Sequence, residues 1–240
     1  MAECFITRKG GSSGGSNLGA EFDYTDVWHY YDVDSIDLEN LLWKDTVGTA
    51  DFTLDDARIE GNALVLPANK YGEVTTQDEP KTLYFVVQKP ICETNAVVFG
   101  LAGTSNYGGR TCSMYLATSY GWEISVSESP YLCYSYDTEC HVYTISRHKS
   151  VSGDSPSSTG NYGTCLYVDG KLIGFMDRGT WGYYAGFVTL NRGYFGGYRT
   201  DRLCSQDSYF RAIAIGGEHS VEQIINNSKY LLNKYIPERN

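Results

Sequence analysis

Short apolar runs recur along this chain, most of them bounded by turn-forming residues such as glycine, asparagine and aspartate. Within residues 140–149 the pattern alternates, with Val142, Thr144 and Ser146 on one side and Tyr143 and Ile145 on the other. A period of two is typical of a strand with one face in a core. Strands are predicted at 63–67, 82–90, 95–103, 112–119, 121–127, 140–149, 164–170, 171–176 and 208–217.

The connections between these runs predict the architecture. Asp169 and Gly170 separate two of the runs and form the strongest short hairpin signal, a type I′ turn in which both residues take positive φ. Other strands that would pair lie tens of residues apart, so Greek-key connections are expected. The pattern therefore predicts an all-β protein with a two-sheet antiparallel jelly-roll sandwich.

A period near 3.6 appears towards the end of the chain. Ser220 and Gln223 form a capping-box pattern, and Pro237 lies beyond the last apolar position, so a C-terminal helix is predicted at 221–235. Its apolar stripe is Ile224, Ile225, Ser228, Leu231, Leu232 and Tyr235. One or two further helical turns are predicted at 35–45, with Leu38, Leu41 and Leu42 facing inward.

The first twenty residues differ in composition from the rest. Residues 10–19 are glycine and serine except for Asn17 and Leu18, a composition that predicts a flexible linker. Cys4, Phe5 and Ile6 precede this linker and are able to dock elsewhere. We therefore predict a docking peptide at 1–9, a linker at 10–19 and one sandwich domain at 20–240.

Charge and cysteine content narrow the classes of partner. The formal net charge of −10 and the lack of a basic run argue against nucleic acid and anionic membranes. No apolar run is long enough to span a bilayer, and the start has no signal-peptide pattern, so membrane insertion is not expected. Seven cysteines without a CxxC pair predict reduced thiols, and the four scattered histidines predict no metal centre.

Three segments together resemble the concanavalin A-like, laminin-G-type family of lectin and glucanase sandwich domains. They are "WKDTVGTADFTLDDARIEGNALVLPA" (43–68), "LYVDGKLIG" (166–174) and "YFRAIAIGGEHSVEQIINNSKYLLNKY" (209–235), in the family's order across residues 35–235. The resemblance implies a jelly roll of two stacked sheets. It also leaves calcium binding open through Asp51, Asp55, Asp56, Asp169, Asp177 and Asp201. None of these has a dense ligand spacing, so no cofactor or metal is predicted.

The opening "MAECFITRKGG" is similar to the starts of tail-associated proteins in phages of Gram-positive and gut bacteria. The resemblance implies a virion protein made in the host bacterial cytoplasm. Phe5, Ile6, Thr7 and Arg8 would then add a strand to the sheet edge of another virion protein. A disordered N-terminus is the alternative.

Because the sandwich family includes glucanases, catalysis must be considered. Their signature is Glu-x-Asp-x-Glu or its bulged form, with two carboxyls on one strand. The nearest match runs from Glu123 to Glu128, but Ser125 stands where the central aspartate belongs. No Gly-x-Ser-x-Gly elbow or phosphate loop is present either. The sequence therefore predicts that the chain is not an enzyme.

Aromatic residues near polar ones suggest a carbohydrate-binding role. Lectin sites pair an aromatic platform with nearby amides, carboxylates or arginines, often on rim loops. The candidates are Tyr120, Trp122, Trp181, Tyr183, Tyr184, Tyr194, Tyr198, Arg199 and Asp201. The alternative is that most of them pack within the sandwich or cover its edges.

Two main functions follow from these patterns, and a third, a glucanase-like hydrolase, is kept only because of the fold and would require Glu123 and Glu128 to converge in a groove. The first is a phage virion protein, tail-associated, that binds a bacterial surface carbohydrate through a lectin-like sandwich domain. The second is a structural or decoration protein of the virion that makes only protein–protein contacts. For the first function, the partners would be a bacterial surface glycan and other virion proteins. A homo-oligomer of the chain is a further option.

Overall fold

The computed structural model of the chain describes residues 21–75, 80–88, 96–103, 110–117, 121–125, 131–134, 138–149, 162–176, 190–195, 204 and 206–239. The docking peptide predicted at 1–9 and the linker predicted at 10–19 lie outside these residues and stay predictions. Within the described part, no helix is long and apolar enough to cross a membrane.

The described residues form strands and one α-helix. The strands are β1 (Val27–Asp32), β2 (Ile36–Asp37), β3 (Leu42–Trp43), β4 (Phe52–Leu54), β5 (Arg58–Glu60), β6 (Ala63–Leu66), β7 (Gly72–Val74), β8 (Thr82–Gln88), β9 (Ala96–Gly103), β10 (Arg110–Ala117), β11 (Gly121–Ser125), β12 (Tyr131–Tyr134), β13 (Cys140–Lys149), β14 (Tyr162–Val168), β15 (Lys171–Met176), β16 (Leu190–Phe195) and β17 (Ser208–Gly216). The helix α1 spans Val221–Tyr235, and two short 3₁₀ helices span Val33–Ser35 and Pro237–Arg239.

The strands make two antiparallel sheets. Sheet A has the order β15-β14-β13-β8-β17-β6-β5, and β1 pairs with the second half of β17. Sheet B has the order β12-β11-β10-β9-β16-β7-β4-β3-β2. Strands that are distant in sequence lie side by side, as β17 does between β8 and β6, so the predicted crossovers are present. The predicted all-β sandwich with one C-terminal helix is confirmed.

The main core lies between the two sheets. Phe52 and Phe195 of sheet B and Phe210 of sheet A are fully buried, with ring centroids 4.8 Å apart for Phe52 and Phe195 and 4.9 Å for Phe195 and Phe210. Trp43 is also fully buried, 5.4 Å from Phe195, and donates its indole N–H to the Asp32 carbonyl over 2.6 Å. Burying such large rings is the main force that holds the sheets together.

A second core covers the other face of sheet A. Helix α1 contributes Ile224 and Leu231, which pack with Tyr84 and Val142 of the sheet and with Phe22. The alternation predicted for β13 is correct, but both of its faces are buried, because α1 lies over the face that would otherwise meet water. The molecule therefore has three layers, with α1 outside sheet A and sheet B on the far side.

At the start of α1, the Ser220 hydrogen bond of the predicted capping box is present, but the Gln223 side chain bonds elsewhere. The Ser220 hydroxyl accepts from the Gln223 backbone N–H over 3.1 Å, as expected. The Gln223 side chain instead donates to the Thr25 carbonyl over 2.8 Å. Asn227 adds two hydrogen bonds to the backbone of Asp23, at 2.7 and 3.0 Å. The helix is thus fastened to the segment that precedes β1.

The helical turns predicted at 35–45 are wrong. Residues 36–43 form a hairpin of β2 and β3, in which Ile36 pairs with Trp43. The Asp37 carboxylate accepts from the Asn40 backbone N–H over 3.1 Å, and Leu41 takes a positive φ of 53°. Leu38 is exposed, whereas Leu41 packs against the main core. Burial of Trp43 between the sheets overrides the local helical periodicity.

The predicted hairpin turn is confirmed. Asp169 and Gly170 have φ values of 52° and 75°, so they form the tight turn between β14 and β15. Cys140 and Cys165 are buried thiols that form no disulfide. Burial raises the pKa of each thiol to about 11, which keeps both in the unreactive neutral form.

Candidate functional site

A cleft of about 660 Å³ opens on sheet B where β4 pairs with β7. On β4, Thr53 is exposed between buried Phe52 and Leu54, and it pairs with Glu73 of β7. Because alternate residues of a strand point to opposite faces, Thr53 and Glu73 belong to the face turned away from the core. The residues that line the cleft are Thr49, Ala50, Asp51, Thr53, Leu54, Asp55, Tyr71, Glu73 and Thr75.

One wall of the cleft is the loop between β3 and β4, and Asp45 holds that loop in place. The Asp45 side chain is fully buried. It accepts from the backbone N–H groups of Tyr30 (3.1 Å), Gly48 (2.8 Å) and Ala50 (3.2 Å). It also lies 2.6 Å from Nδ1 of His29. One carboxylate therefore fixes the backbone that presents the loop residues to the cleft.

The chemistry of this contact favours the ionised form of Asp45. Burial alone would raise the pKa of its carboxyl, but the hydrogen bonds from His29 and from the backbone N–H groups outweigh burial and lower the pKa below the ordinary 3.8. At neutral pH Asp45 is therefore a carboxylate with its acceptor sites in use, and the loop is firmly held.

The lining of the cleft combines one ring with many oxygen atoms. Tyr71 supplies the ring, Thr53 and other threonines supply hydroxyls, and Asp51, Asp55 and Glu73 supply carboxylates. Asp51 accepts from the Asp45 backbone N–H over 2.9 Å, which leaves it other acceptor positions. Carboxylates and hydroxyls can hydrogen-bond the hydroxyls of a sugar. The tyrosine ring beside them can pack against the apolar face of that sugar.

The backbone register brings one of the residues predicted from the sequence to this cleft. Tyr194 of β16 pairs with Glu73 of β7, and Glu73 pairs with Thr53. These three residues form one row across sheet B. Tyr194 is thus the predicted aromatic residue whose backbone lies beside the cleft.

The other predicted residues are not brought to this place. Trp122 pairs with Leu116 and Tyr134 on strands at the far end of sheet B, three strands from β16. The remaining saccharide-binding and virion-docking candidates lie outside the described residues and stay predictions. They are Tyr120, Trp181, Tyr183, Tyr184, Tyr198, Arg199 and Asp201, and Phe5, Ile6, Thr7 and Arg8.

Sequence reasoning missed the centre of the cleft. Thr53, Tyr71 and Glu73 lie on or beside strands of only three residues, and such short runs give little period-two signal. The sequence indicates Asp51 and Asp55 only as carboxylates open to calcium. The alternation of buried Gly72 and Val74 around Glu73 was the available signal.

Of the carboxylates considered for calcium, Asp51 and Asp55 line the cleft, whereas Asp169 lies in the turn between β14 and β15. Among the described residues, no group of three or more His, Cys, Asp or Glu side chains is arranged to hold a metal ion. Asp169 lies 2.7 Å from Nδ1 of His141 and accepts from the Val142 backbone N–H over 2.9 Å. Asp177 and Asp201 lie outside the described part, so the absence of a metal or cofactor stays a prediction.

Comparison with known proteins identifies the fold. No protein-family model matches the sequence, and no curated protein is significantly similar to it. The chain is similar in structure to Trypanosoma rangeli sialidase in complex with 2,3-difluorosialic acid, with a TM-score of 0.70, 13% identity, and coverage of 94% of this chain and 35% of that one. It is also similar to the receptor-binding domain of botulinum neurotoxin C/D mosaic serotype (TM-score 0.62, 14% identity, 87% and 51% coverage). A third similar structure is the binding domain of botulinum neurotoxin DC in complex with SialylT (0.57, 12%, 85% and 52%).

These similarities correct the prediction that the chain is not an enzyme. The similar structures include sialidases, which are enzymes. The prediction, which was inferred from fold and motif, is therefore wrong. It relied on the two-carboxylate glucanase pattern, and glycoside hydrolases with other nucleophiles do not carry that pattern. Glu123 lies on β11 and Glu128 lies outside the described residues.

The identities of 12–14% show a shared fold and no more. The chain spans about a third of the length of the sialidase chains and about half of the neurotoxin chains. The chain is therefore a β-sandwich of a fold that occurs both in enzymes and in receptor-binding domains.

Proposed function

We propose that this protein binds a carbohydrate in the cleft between β4, β7 and the β3–β4 loop. The observation that carries the proposal is the cleft itself, in which Tyr71, three threonines and three carboxylates converge on a preformed surface. Such a mixture of one aromatic ring and several fixed polar groups is typical of ligand sites. The fold supports the same reading, since it is shared with a sialidase in complex with sialic acid and with a neurotoxin domain in complex with SialylT.

The proposal extends to the setting in which the protein acts. We infer that it is a tail-associated virion protein of a phage and that the carbohydrate belongs to the surface of a bacterium. The support is the resemblance of "MAECFITRKGG" to the starts of phage tail-associated proteins and the Gly/Ser tract that follows it. The N-terminal peptide would fasten the protein to another virion protein, and the sandwich domain would face the cell.

The experiment is a binding assay on intact bacterial cells. The full chain, fluorescently labelled, is titrated onto cells with and without their purified wall polysaccharide as competitor. Thr53→Arg places a long side chain in the cleft, and we expect it to weaken binding by at least about tenfold, or 1.4 kcal/mol. Thr25→Arg is the matched control, because Thr25 is exposed in the segment beside α1 on the other side of the molecule.

The outcomes separate the two functions derived from the sequence. Saturable binding that the polysaccharide competes and that Thr53→Arg weakens supports carbohydrate recognition by the cleft. Equal loss in the two variants, or no saturable binding to any strain, contradicts it. The absence of saturable binding to any strain would favour the second function, a virion protein that makes only protein–protein contacts.

A further inference from the structure

A buried histidine lies where the N-terminal segment of the described chain meets the sandwich. His219 lies between β17 and α1 and is only 1% exposed. Residues 23–26, which precede β1, lie against it, and so does Tyr84 of sheet A. Tyr84 belongs to the second core, on the face of sheet A that α1 covers, so this place is separate from the cleft on sheet B.

The partners of the imidazole ring fix its neutral tautomer. Nε2 of His219 lies 3.2 Å from the Asp26 carbonyl, which can only accept, so Nε2 carries the proton. In a neutral ring Nδ1 then accepts from the Tyr84 hydroxyl, which is 2.8 Å away. The His219 backbone N–H donates to the Thr82 hydroxyl over 3.3 Å. Both ring nitrogens are therefore in use when the ring is neutral.

The same contact joins residues 23–26 to the rest of the molecule. The Asp26 carbonyl accepts from His219 and also from the Gly217 backbone N–H over 2.9 Å. Side chains of α1 hold the start of the segment, as described for the cap of that helix. The histidine thus provides one of a small number of attachments for this segment.

The charged groups around the ring belong mainly to the segment itself. Among the residues that the structure describes, those that act on the ring are the carboxylates of Asp26 and Asp23. From β8 the ring meets Tyr84, whose pKa is raised by burial, so this phenol is neutral. Glu218, which precedes the histidine, is paired with Lys81 at 3.7 Å.

A second proton on the ring, which would enter at Nδ1, is therefore unfavourable. The Tyr84 hydroxyl would lose its acceptor, and a positive charge would lie where the ring meets almost no water. Burial lowers the pKa of His219 below the ordinary 6.5, and the hydrogen bond to the Asp26 carbonyl and the nearby carboxylates offset only part of this effect. The ring is neutral in the folded protein at pH 7.

We propose that His219 is a pH-sensitive latch, which holds residues 23–26 on the sandwich while it is neutral and releases them once it is protonated. Release lets the ring reach water, where its pKa is about 6.5. Because the pKa is lower in the closed state, the attachment is complete above about pH 6.5 and weakens as the pH falls below that value. Residues 23–26 lie between the predicted linker and β1, so acid lengthens the tether that precedes the sandwich.

The test is amide hydrogen exchange of the full chain, followed by NMR at pH 7.5, 6.5 and 5.0 and corrected for the intrinsic rate at each pH. The reporters are the backbone N–H groups of Asp23, Val27 and Gly217, because each is hydrogen-bonded within the segment or to its neighbours. We expect their protection to fall at least about threefold from pH 7.5 to pH 5.0. It should stay below the protection of β6 at every pH, because the segment opens without unfolding of the sandwich.

Three variants connect the effect to the histidine. His219→Gln can still donate to the Asp26 carbonyl but takes up no proton, so its protection should not change with pH. Tyr84→Phe removes a hydrogen bond of the neutral ring and should move the loss to higher pH. Asp26→Asn suits the positive φ of 56° and keeps an acceptor for the Trp28 indole, but it removes a carboxylate that favours the charged ring, so the loss should move to lower pH. Glu222→Gln is the matched control, because Glu222 is exposed in the first turn of α1 and is not among the groups that act on the ring.

Each outcome decides for or against the latch. Equal protection of the reporters at pH 7.5 and pH 5.0 in the unmodified chain overturns it. An equal loss in His219→Gln also overturns it, since another group would then be titrating. Reporters that exchange no faster than β6 would show that the segment opens only on global unfolding, which contradicts a local release. If His219→Gln does not fold, the opposite shifts expected for Tyr84→Phe and Asp26→Asn decide the question, and none of these results bears on what the cleft binds.

Discussion

At the scale of single residues, a few side chains that never touch solvent determine whether the cleft exists. Asp45 is the clearest of them, since one buried carboxylate receives hydrogen bonds from backbone N–H groups of its own loop and of Tyr30 on β1. Such a residue contributes to function only through the loop that it positions. Replacing Asp45 would leave these buried N–H groups without an acceptor.

Replacing Asp45 tests this role. Asp45→Asn places N–H donors against backbone N–H groups, so we expect a loss of about 3 kcal/mol in the free energy of unfolding at pH 7. The control is Asp56→Asn, because Asp56 is exposed beyond β4 and should cost less than about 0.5 kcal/mol. Urea unfolding measures both. A loss in Asp45→Asn no larger than in the control would contradict the positioning role.

The same carboxylate predicts how stability depends on pH. The pKa of Asp45 is lowered in the folded state, so its stabilising contribution is complete above about pH 3.8, the pKa in the unfolded chain, and is lost as pH falls through the lower folded value. Urea unfolding at pH 7, 4 and 3 should show a steeper decline in the unmodified chain than in Asp45→Asn. Parallel declines would exclude Asp45 as the titrating group.

Gly72 controls packing at the base of the cleft. A Cβ on Gly72 would overlap the ring of Phe195, which is fully buried against Phe52 and Phe210 and has no room to move. We expect Gly72→Ala to lower the free energy of unfolding by about 3 kcal/mol. Gly61→Ala is the control, because Gly61 has open space around it and a φ of 59°, so it should cost about 1 kcal/mol. Equal effects in thermal unfolding would count against the overlap.

At the scale of elements, α1 is both a cover for sheet A and a clamp for the N-terminal segment. Its buried stripe packs on the sheet, while Gln223 and Asn227 bind the backbone of Thr25 and Asp23. The helix therefore links the two ends of the described chain. Of the two capping-box residues, Ser220 caps the helix itself, whereas Gln223 makes a tertiary contact.

The two halves of this cap are separable by mutation. Ser220→Ala removes the acceptor for the Gln223 N–H and should cost about 1 kcal/mol, most of it restored by Ser220→Asp. Gln223→Ala should cost a similar amount but act by loosening residues 23–25. Hydrogen exchange distinguishes them, since only Gln223→Ala should speed exchange at Thr25 and its neighbours. Faster exchange there in Ser220→Ala alone would contradict the assignment.

At the scale of the whole molecule, the described core runs from Phe22 to Ile236 and joins both sheets and α1. If residues 1–19 are a docking peptide and linker, their removal should leave the thermal unfolding midpoint within about 1 °C and cell binding unchanged. Incorporation into virions should be lost. A large drop in the midpoint would show that these residues belong to the sandwich.

Much of this architecture was predictable, because many of its elements carry a local sequence pattern and are bounded by turn or cap residues. The strand predicted at 63–67 is observed at Ala63–Leu66, and the elements predicted at 171–176 and 221–235 are observed with those bounds. The prediction failed at 35–45, where the leucine spacing suggested a helix but Trp43 is required in the core. It also missed β4 and β7, whose three residues are too few to show a pattern.

The sequence by itself determined the class of the fold, the hairpin at Asp169 and Gly170, and the extent of α1, because each depends on neighbours along the chain. Only the tertiary structure decided that Thr53 and Glu73 meet in one cleft, that Asp45 holds its wall, and that Tyr194 lies beside it. Those residues are joined by sheet register and by a buried carboxylate. Such contacts leave no periodic trace in the sequence, since they form between segments that are far apart along the chain.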